Sequence, residues 1–179
     1  MKRRKALSLT AAMFGGAIVG AEMFLSGCTR EKDTFVFFSH NDVRLLDEIG
    51  ETILPETANS PGAKAAQIGN FMRVMVRDCY SQEEANAFFK GLHEIQKIAK
   101  KDYGKSFVEL SSADKTELLT ELDTAAKSAG DGHYFTMMKQ LTIWGYFTSE
   151  PGMTKALRFN PIPGRFDGCV PYDNKPAWA

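Results

Sequence analysis

The clearest helical signal in the chain lies in residues 81–104, SQEEANAFFKGLHEIQKIAKKDYG. Ser81 and Glu84 have the spacing of a capping box, in which each side chain accepts a hydrogen bond from the other residue's backbone N–H. Apolar residues then recur every three or four positions, as one buried helix face requires: Ala85, Phe88, Phe89, Leu92, Ile95 and Ile98. The helix is expected to end near Gly104, because glycine commonly follows the last residue of a helix. We therefore predict a long amphipathic helix that packs against other helices.

Two further helices are predicted before this one. Ser39 and Asp42 form a capping box, and Pro55 ends the helix that they open. The apolar positions of that helix share one face: Val43, Leu46, Ile49 and Ile53. The second helix runs from residue 63 or 68 to residue 80. We expect it to bury one face of four residues: Phe71, Val74, Met75 and Cys79.

Three helices are predicted after it. Ser111 and Asp114 form another capping box, and the apolar positions that follow are Leu118, Leu119, Leu122 and Ala126. The next helix, residues 134–147, is apolar on most sides. Such a helix is central to its own bundle or is buried by a partner protein, and we expect the first. Pro151 then starts a short helix that ends near Leu157.

The C-terminal tail, residues 159–179, has a different character. Its four prolines and two glycines oppose regular structure. Such a segment either wraps its own bundle or lies along another protein. No part of the chain shows the alternating pattern of a half-buried strand. The sequence therefore predicts an all-α fold, a single irregular bundle of five or six helices with a Pro/Gly-rich tail.

The N-terminus has the pattern of an export signal. Basic residues 2–5 precede an apolar run that ends at Leu25, and small residues follow it. The alternative is a permanent transmembrane anchor. However, the uncharged run, residues 6–21, is shorter than the roughly 20 apolar residues that span a bilayer. Glu22 would also be costly at membrane depth, so we expect residues 1–27 to be a cleaved signal peptide.

The end of this signal resembles a bacterial lipobox, Leu25-Ser26-Gly27-Cys28. In such signals the cysteine is acylated and becomes the first mature residue. We therefore expect a lipidated tether at residues 28–38 and a helical domain at residues 39–179. Phe35 to Phe38 are expected to form a short extended piece that docks on the domain. The predicted location is the periplasmic side of the cell envelope, at either the inner or the outer membrane.

A pair of arginines near the start, Arg3 and Arg4, resembles a twin-arginine export signal. An ordinary secretory signal is the alternative, because arginine pairs occur there too. The distinction matters because twin-arginine export carries folded proteins, often with a cofactor already bound.

The mature chain is mildly acidic. Residues 1–27 hold four of the 22 basic and one of the 22 acidic residues, which leaves a formal net charge of −3 (18 − 21). Such a domain lacks the basic character of nucleic-acid-binding proteins, so we expect no nucleic-acid partner. After Cys28, the remaining cysteines are Cys79 and Cys169. They either pair with each other or bridge to a partner protein, and Cys79 is alternatively a buried thiol.

Residues that would carry catalysis or bind a metal are sparse. The histidines His40, His93 and His133 are scattered, and none has a second ligand at helical spacing. We therefore expect surface histidines and no metal site. Phosphate-binding glycine loops and nucleophile elbows are missing from the sequence. These observations favour a protein that is not an enzyme by itself.

Several segments together carry a family resemblance, and they occur in the expected order: 51–57 (ETILPET), 60–66 (SPGAKAA), 75–80 (MVRDCY), 139–142 (KQLT), 145–152 (GYFTSEPG) and 161–169 (PIPGRFDGC). The chain resembles the gluconate 2-dehydrogenase subunit 3 family, the small subunits of membrane-bound flavin-dependent sugar and polyol dehydrogenases. The resemblance implies a helical partner for a large flavoprotein, in complexes that a cytochrome c subunit often completes. FAD and haem c would lie in those partners, and this chain would bind no cofactor.

The resemblance further implies an accessory role, in which the small subunit helps the flavoprotein to mature and leave the cell. With a lipid at Cys28, it would also anchor that partner to the membrane. We expect the partner surface on a set of aromatic and tail residues: Trp144, Tyr146, Phe147, Pro163, Gly164, Phe166 and Cys169. The alternative is a stand-alone envelope lipoprotein that binds a small ligand or another protein. The substrate of the partner enzyme is left open.

Overall fold

The computed structural model describes residues 37–130, 132–162, 164, 168, 169, 171 and 173–178. Within these residues the chain forms five α-helices and no β-strand, which confirms the predicted all-α class. The helices are α1 (His40–Ile53), α2 (Ile68–Cys79), α3 (Gln82–Tyr103), α4 (Ser112–Ala129) and α5 (Tyr134–Phe147). Short 3-10 helices cover Ala63–Ala66 and Phe107–Glu109, and a π-helical turn covers Gly152–Ala156 where we predicted the last helix.

The predicted N-caps Ser39, Ser81 and Ser111 are all present, and the first two form full capping boxes. At the start of α1, the Ser39 N–H donates to the Asp42 carboxylate at 2.8 Å, and the Asp42 N–H donates to the Ser39 hydroxyl at 3.2 Å. Ser81 and Glu84 form the same reciprocal pair at the start of α3. Gly104 ends α3 with φ of 69°, a left-handed conformation that glycine adopts without strain. Each serine N-cap stabilises its helix by about 1 kcal/mol.

Helix α5 is central to the bundle, as expected from its composition. It contacts each of the other four α-helices, and its Met138 is fully buried. The other fully buried side chains around it come from α1, α2, α3 and α4: Leu46, Ile49, Ile68, Met72, Val76, Phe88, Leu92, Ile95 and Leu118. The predicted inner faces of α1, α3 and α4 are thus confirmed at their centres.

The predicted inner face of α2 is wrong. The buried residues are Ile68, Gly69, Met72 and Val76, whereas Cys79 is exposed and the other three predicted residues are only partly buried. The reason is the contact with α1. The Gly69 N–H donates to Asp47 Oδ1 at 2.8 Å, and a Cβ at Gly69 would overlap the Val43 carbonyl oxygen. Ile68, Met72 and Val76 also recur every four positions. The sequence therefore offers two apolar faces, and the close approach to α1 at Gly69 decides which of them is buried.

An ion cluster ties α1 to two later elements. Glu48 on α1 accepts from Lys64 Nζ at 2.6 Å and from Lys115 Nζ at 2.9 Å. Partial burial raises the pKa of Glu48, but the hydrogen bonds and charges of the two lysines outweigh it and lower that pKa below its usual value. The Glu48 carboxylate is therefore charged at neutral pH, and it helps to hold α4 against α1.

The described chain enters the bundle at Phe38, which is buried. The Phe38 ring packs edge-on against Phe88 and Phe89 of α3, with centroid distances of 6.1 and 5.4 Å. Phe38 thus docks on the domain as predicted, while Phe37 is 84% exposed. Phe35, Val36 and the predicted signal peptide lie outside the described residues. Among the described helices, none is long and apolar enough to cross a membrane.

Candidate partner interface

Helix α5 has two sides that differ in exposure. Most of its apolar residues face the core: Phe135, Met137, Met138, Leu141, Gly145 and Tyr146. Ile143, Trp144 and Phe147 face outward and are 41%, 53% and 36% exposed. Residues three and four positions apart lie beside each other on a helix. Phe147 therefore lies next to both Trp144 and Ile143, and the three side chains form one apolar surface at the C-terminal end of α5.

A residue of α2 extends this surface. The Phe71 ring packs edge-on against the Trp144 indole, with a centroid distance of 5.9 Å and an interplanar angle of 88°. Edge-to-face pairs of this kind are favourable beyond their buried area. We call Phe71, Ile143, Trp144 and Phe147 the aromatic patch. It joins two helices that are distant in the sequence.

Gly145 explains how the two helices come so close. A Cβ at this position would overlap Cδ1 of Phe71 and also meet the side chain of Ile68. The missing side chain therefore lets α2 lie directly on α5. Phe71 covers the backbone at Gly145, which places its ring beside Trp144.

Tyr146 lies in the core and not on the aromatic patch. It is only 3% exposed. Its hydroxyl donates to the Pro61 carbonyl and lies 2.6 Å from the Ser60 hydroxyl. Of the three interface residues that we predicted on α5, Trp144 and Phe147 are on the surface, whereas Tyr146 fixes the loop between α1 and α2.

The end of the chain folds back onto Arg158. The Arg158 N–H donates to the Ala177 carbonyl at 2.8 Å, and its Nε donates to the Pro176 carbonyl at 2.6 Å. Its guanidinium also pairs with Asp173 at 2.9 Å and lies 4.2 Å from the centroid of the Trp178 ring. The described end of the tail, residues 173–178, is thus held by the chain's own arginine, which sequence reasoning missed.

The predicted interface residues of the tail are only partly described. Gly164 is exposed with φ of 72°, and Cys169 is exposed. Pro163 and Phe166 lie outside the described residues. The interface role of these tail residues stays a prediction.

Cys79 and Cys169 are both exposed, and neither is bridged in the structure. The alternative of a buried thiol at Cys79 is therefore wrong. A disulfide within the chain or to a partner stays a prediction. Cys28, Arg3 and Arg4, which carry the lipidation and export predictions, lie outside the described residues.

The histidines have separate roles. His40 and His93 are exposed, as expected. His133 caps α5, since its Nδ1 accepts from the Phe135 N–H at 3.2 Å. Within the described part of the chain, no three His, Cys, Asp or Glu side chains are grouped in a way that could hold a metal ion.

Two grooves on the described surface have linings that do not include the aromatic patch. One of about 400 Å³ lies between α1, α3 and the second 3-10 helix, and Arg44, His93 and Glu109 are among its lining residues. Another of about 200 Å³ includes Thr52 and Lys139 in its lining. Trp144 lines neither groove, so these cavities do not make it part of a small-molecule pocket.

Residues 40–164 match the sequence model of the gluconate 2-dehydrogenase subunit 3 family. This range contains all five α-helices and the whole aromatic patch. The chain belongs to the gluconate 2-dehydrogenase subunit 3 family. The family is that of the accessory subunit of gluconate 2-dehydrogenase, and its name implies association with the other subunits of such an enzyme. Comparisons with curated proteins and with solved structures gave no match.

In this subunit 3 chain, sequence reasoning missed half of the aromatic patch. Ile143 lies four positions before Phe147, a spacing that places the two side by side on a helix, so helical periodicity could have included it. Phe71 gave no such signal, because its place beside Trp144 depends on the close contact of α2 with Gly145.

Proposed function

We propose that this subunit 3 chain is a non-catalytic accessory subunit that binds a large flavin-dependent sugar or polyol dehydrogenase subunit. It assists the maturation and export of that partner and anchors it to the periplasmic side of the membrane through a lipid on Cys28. In this proposal FAD belongs to the flavoprotein and haem c to a cytochrome subunit.

The observation that carries the binding role is the aromatic patch. A half-exposed tryptophan beside a phenylalanine, on the outside of the most apolar helix, is expensive to leave in water. Contiguous apolar surface of this kind is typical of protein–protein contacts. Tryptophan in particular is enriched among the residues that dominate binding energy. The patch also lies within the range that matches the family.

The export and anchoring roles rest on the N-terminal sequence. Basic residues, an apolar run and a lipobox-like Leu25-Ser26-Gly27-Cys28 favour a lipoprotein signal. The Arg3-Arg4 pair favours the twin-arginine route, which would let a folded, flavin-loaded partner travel with the signal of its small subunit. A protein anchored by several acyl chains would hold a soluble partner at the bilayer.

The test is co-purification from the native membrane in mild detergent. We expect the tagged chain to bring down a large subunit with a flavin absorption spectrum. Replacing Trp144 and Phe147 together by Ser should reduce the recovered flavoprotein at least tenfold, as expected for the loss of two aromatic anchors. Because both side chains are at the surface, the helical circular dichroism should not change.

The matched control is Phe37→Ser, which also removes an exposed aromatic side chain but outside the patch. This variant should recover as much flavoprotein as the unaltered chain. If the double variant recovers as much flavoprotein as the unaltered chain, the aromatic patch is not part of the interface. A colourless chain without a partner would overturn the accessory role and leave a stand-alone envelope lipoprotein.

A further inference from the structure

The outward face of α3 is basic near its C-terminal end. Lys97, Lys100 and Lys101 are exposed and, together with His93, line one groove. We call these four residues the lysine face. His93 also lines the groove of about 400 Å³, whose other wall includes Asn41 and Arg44 from the first turns of α1. The lysine face is therefore continuous with the surface at the start of α1.

The chain enters the domain beside this face. Phe38 packs on Phe89 with a centroid distance of 5.4 Å, and Phe89 packs on His93 at 4.5 Å. Two ring contacts thus connect the entry point to the lysine face. Phe37, the residue before the buried anchor, points an 84% exposed ring away from the core.

Two carboxylates lie near the lysine face and offset part of its positive charge. Asp42 and Glu109 accept hydrogen bonds from the hydroxyls of the N-cap residues Ser39 and Ser106, at 2.7 and 2.6 Å. The Ser106 hydrogen bonds lower the pKa of Glu109, and the charges of Lys105 and Lys100 lower it further. These two carboxylates are outnumbered by the basic groups around them, which include Arg44 and Lys105 as well as the three lysines of the face.

The lysine side chains themselves stay in water. Lys97 and Lys101 are 72% and 80% exposed, and their contacts with Glu94 and Asp102 are long, at 3.4 and 3.8 Å. Surface pairs of this kind contribute little. These ammonium groups are therefore available to an anionic partner, on a mature chain whose formal net charge is −3 (18 − 21).

The length of the chain between Cys28 and the domain limits how far the lysine face can lie from the membrane. Cys28 and Phe37 are nine residues apart, and such a length spans at most about 30 Å when fully extended. If Cys28 carries the lipid, Phe37 and the start of α1 stay within about 30 Å of the bilayer surface, and the lysine face beside them is then among the parts of the domain nearest to it. This step rests on the anchoring role proposed above.

We propose that the lysine face and Phe37 form a membrane-docking surface that lies against the headgroups of anionic phospholipids. Lysines near a negatively charged membrane are attracted to it over about one Debye length. The phosphate oxygens accept hydrogen bonds from Lys97, Lys100 and Lys101, and the Phe37 ring enters the interfacial region. The lipid tether supplies the proximity, and the lysine face fixes which side of the domain faces the membrane.

The test uses the full chain purified from its native membrane and reconstituted into vesicles of two compositions. One contains phosphatidylcholine alone, and the other contains phosphatidylcholine with phosphatidylglycerol. An amine-acetylating reagent labels exposed lysines, and mass spectrometry measures the labelling rate at each position. Lys127 and Lys175 are the matched controls, because they are 73% and 66% exposed and lie on other elements.

We expect the three lysines of the face to label several-fold more slowly on phosphatidylglycerol vesicles than on phosphatidylcholine vesicles. The difference should vanish at about 1 M NaCl, where the Debye length is about 3 Å. Lys127 and Lys175 should label at the same rate on both. Equal labelling of the lysine face on the two compositions would overturn the proposal.

The same experiment separates this proposal from the anchoring role. The mass of the Cys28 peptide shows directly whether the chain is acylated. If it is not, vesicles are mixed with the free chain at low salt, and the same labelling is measured. Protection of the lysine face on phosphatidylglycerol would then support the docking surface without the anchor, and its absence would reject both.

Discussion

Helices α3 and α5 both line the core and contact each other, yet their outward faces differ in chemistry. On α3 the exposed side carries Lys97, Lys100 and Lys101, whereas on α5 it carries Ile143, Trp144 and Phe147. A solvated lysine costs the free protein nothing, but an exposed indole leaves apolar area in contact with water. The inner faces of both helices thus build the fold, whereas the outer faces are suited to different partners, one anionic and one apolar.

The sharpest test of this contrast between inner and outer faces compares Phe88→Ala with Trp144→Ala. Phe88 is fully buried on α3, so its truncation should lower the free energy of unfolding by about 3–5 kcal/mol. Trp144 is half exposed, and losing its contact with Phe71 should cost only about 1 kcal/mol. Urea unfolding followed by circular dichroism measures both. Equal losses would show that Trp144 belongs to the core.

A second test disturbs the contact that supports the outer face of α5. In Gly145→Val the new side chain collides with Phe71 and Ile68, and overpacking of this kind should cost about 1–3 kcal/mol. Trp144 fluorescence should also shift, because Phe71 can no longer lie against the indole. Gly132→Val is the control, since the space around Gly132 is open. An unchanged emission maximum in Gly145→Val would contradict the proposed support.

The smallest expected effect concerns the polar edge of α5. Hydrogen bonds from Lys127 and from Lys139 of α5 lower the pKa of Asp123 below its usual value. A carboxyl whose pKa is lowered by folding stabilises the folded state above its unfolded pKa, and this contribution is lost as pH falls through the folded value. Asp123→Asn should therefore cost roughly 0.2–1 kcal/mol at neutral pH.

Below about pH 4, the stabilities of Asp123→Asn and the unaltered chain should converge, because the carboxyl of the latter becomes protonated. Asp102→Asn removes an exposed carboxylate 3.8 Å from Lys101 and serves as the control that should change little at any pH. A constant difference between Asp123→Asn and the unaltered chain from pH 7 to pH 3 would argue against the ion pair as its cause.

Sequence patterns sufficed where a helix has one apolar side and a marked start. The capping residues Ser39 and Ser81 gave the starts of α1 and α3, and the three- to four-residue spacing gave their buried faces. For α5 the same reasoning predicted a central helix correctly. It could not predict which side stays outside, because an almost wholly apolar helix has no polar stripe to indicate solvent.

The remaining features depend on contacts between distant segments. The inner face of α2 is set by its approach to α1 at Gly69, and the position of Phe71 is set by Gly145. Tyr146 looked like an interface residue, but its hydroxyl binds a loop more than 80 positions earlier. Arg158 gave no signal, since its partners lie in the irregular tail. Such contacts are not encoded in any local period of the sequence.

The edge-to-face pair of Phe71 and Trp144 has a consequence for assembly. Neither ring alone forms the aromatic patch, because one ring comes from α2 and the other from α5. The two come together only after both helices have packed at Gly145. Binding to a partner that contacts both rings therefore depends on the tertiary structure of the subunit. An unfolded or partly folded copy lacks the complete binding surface. Such a partner would therefore bind only subunits that have already folded.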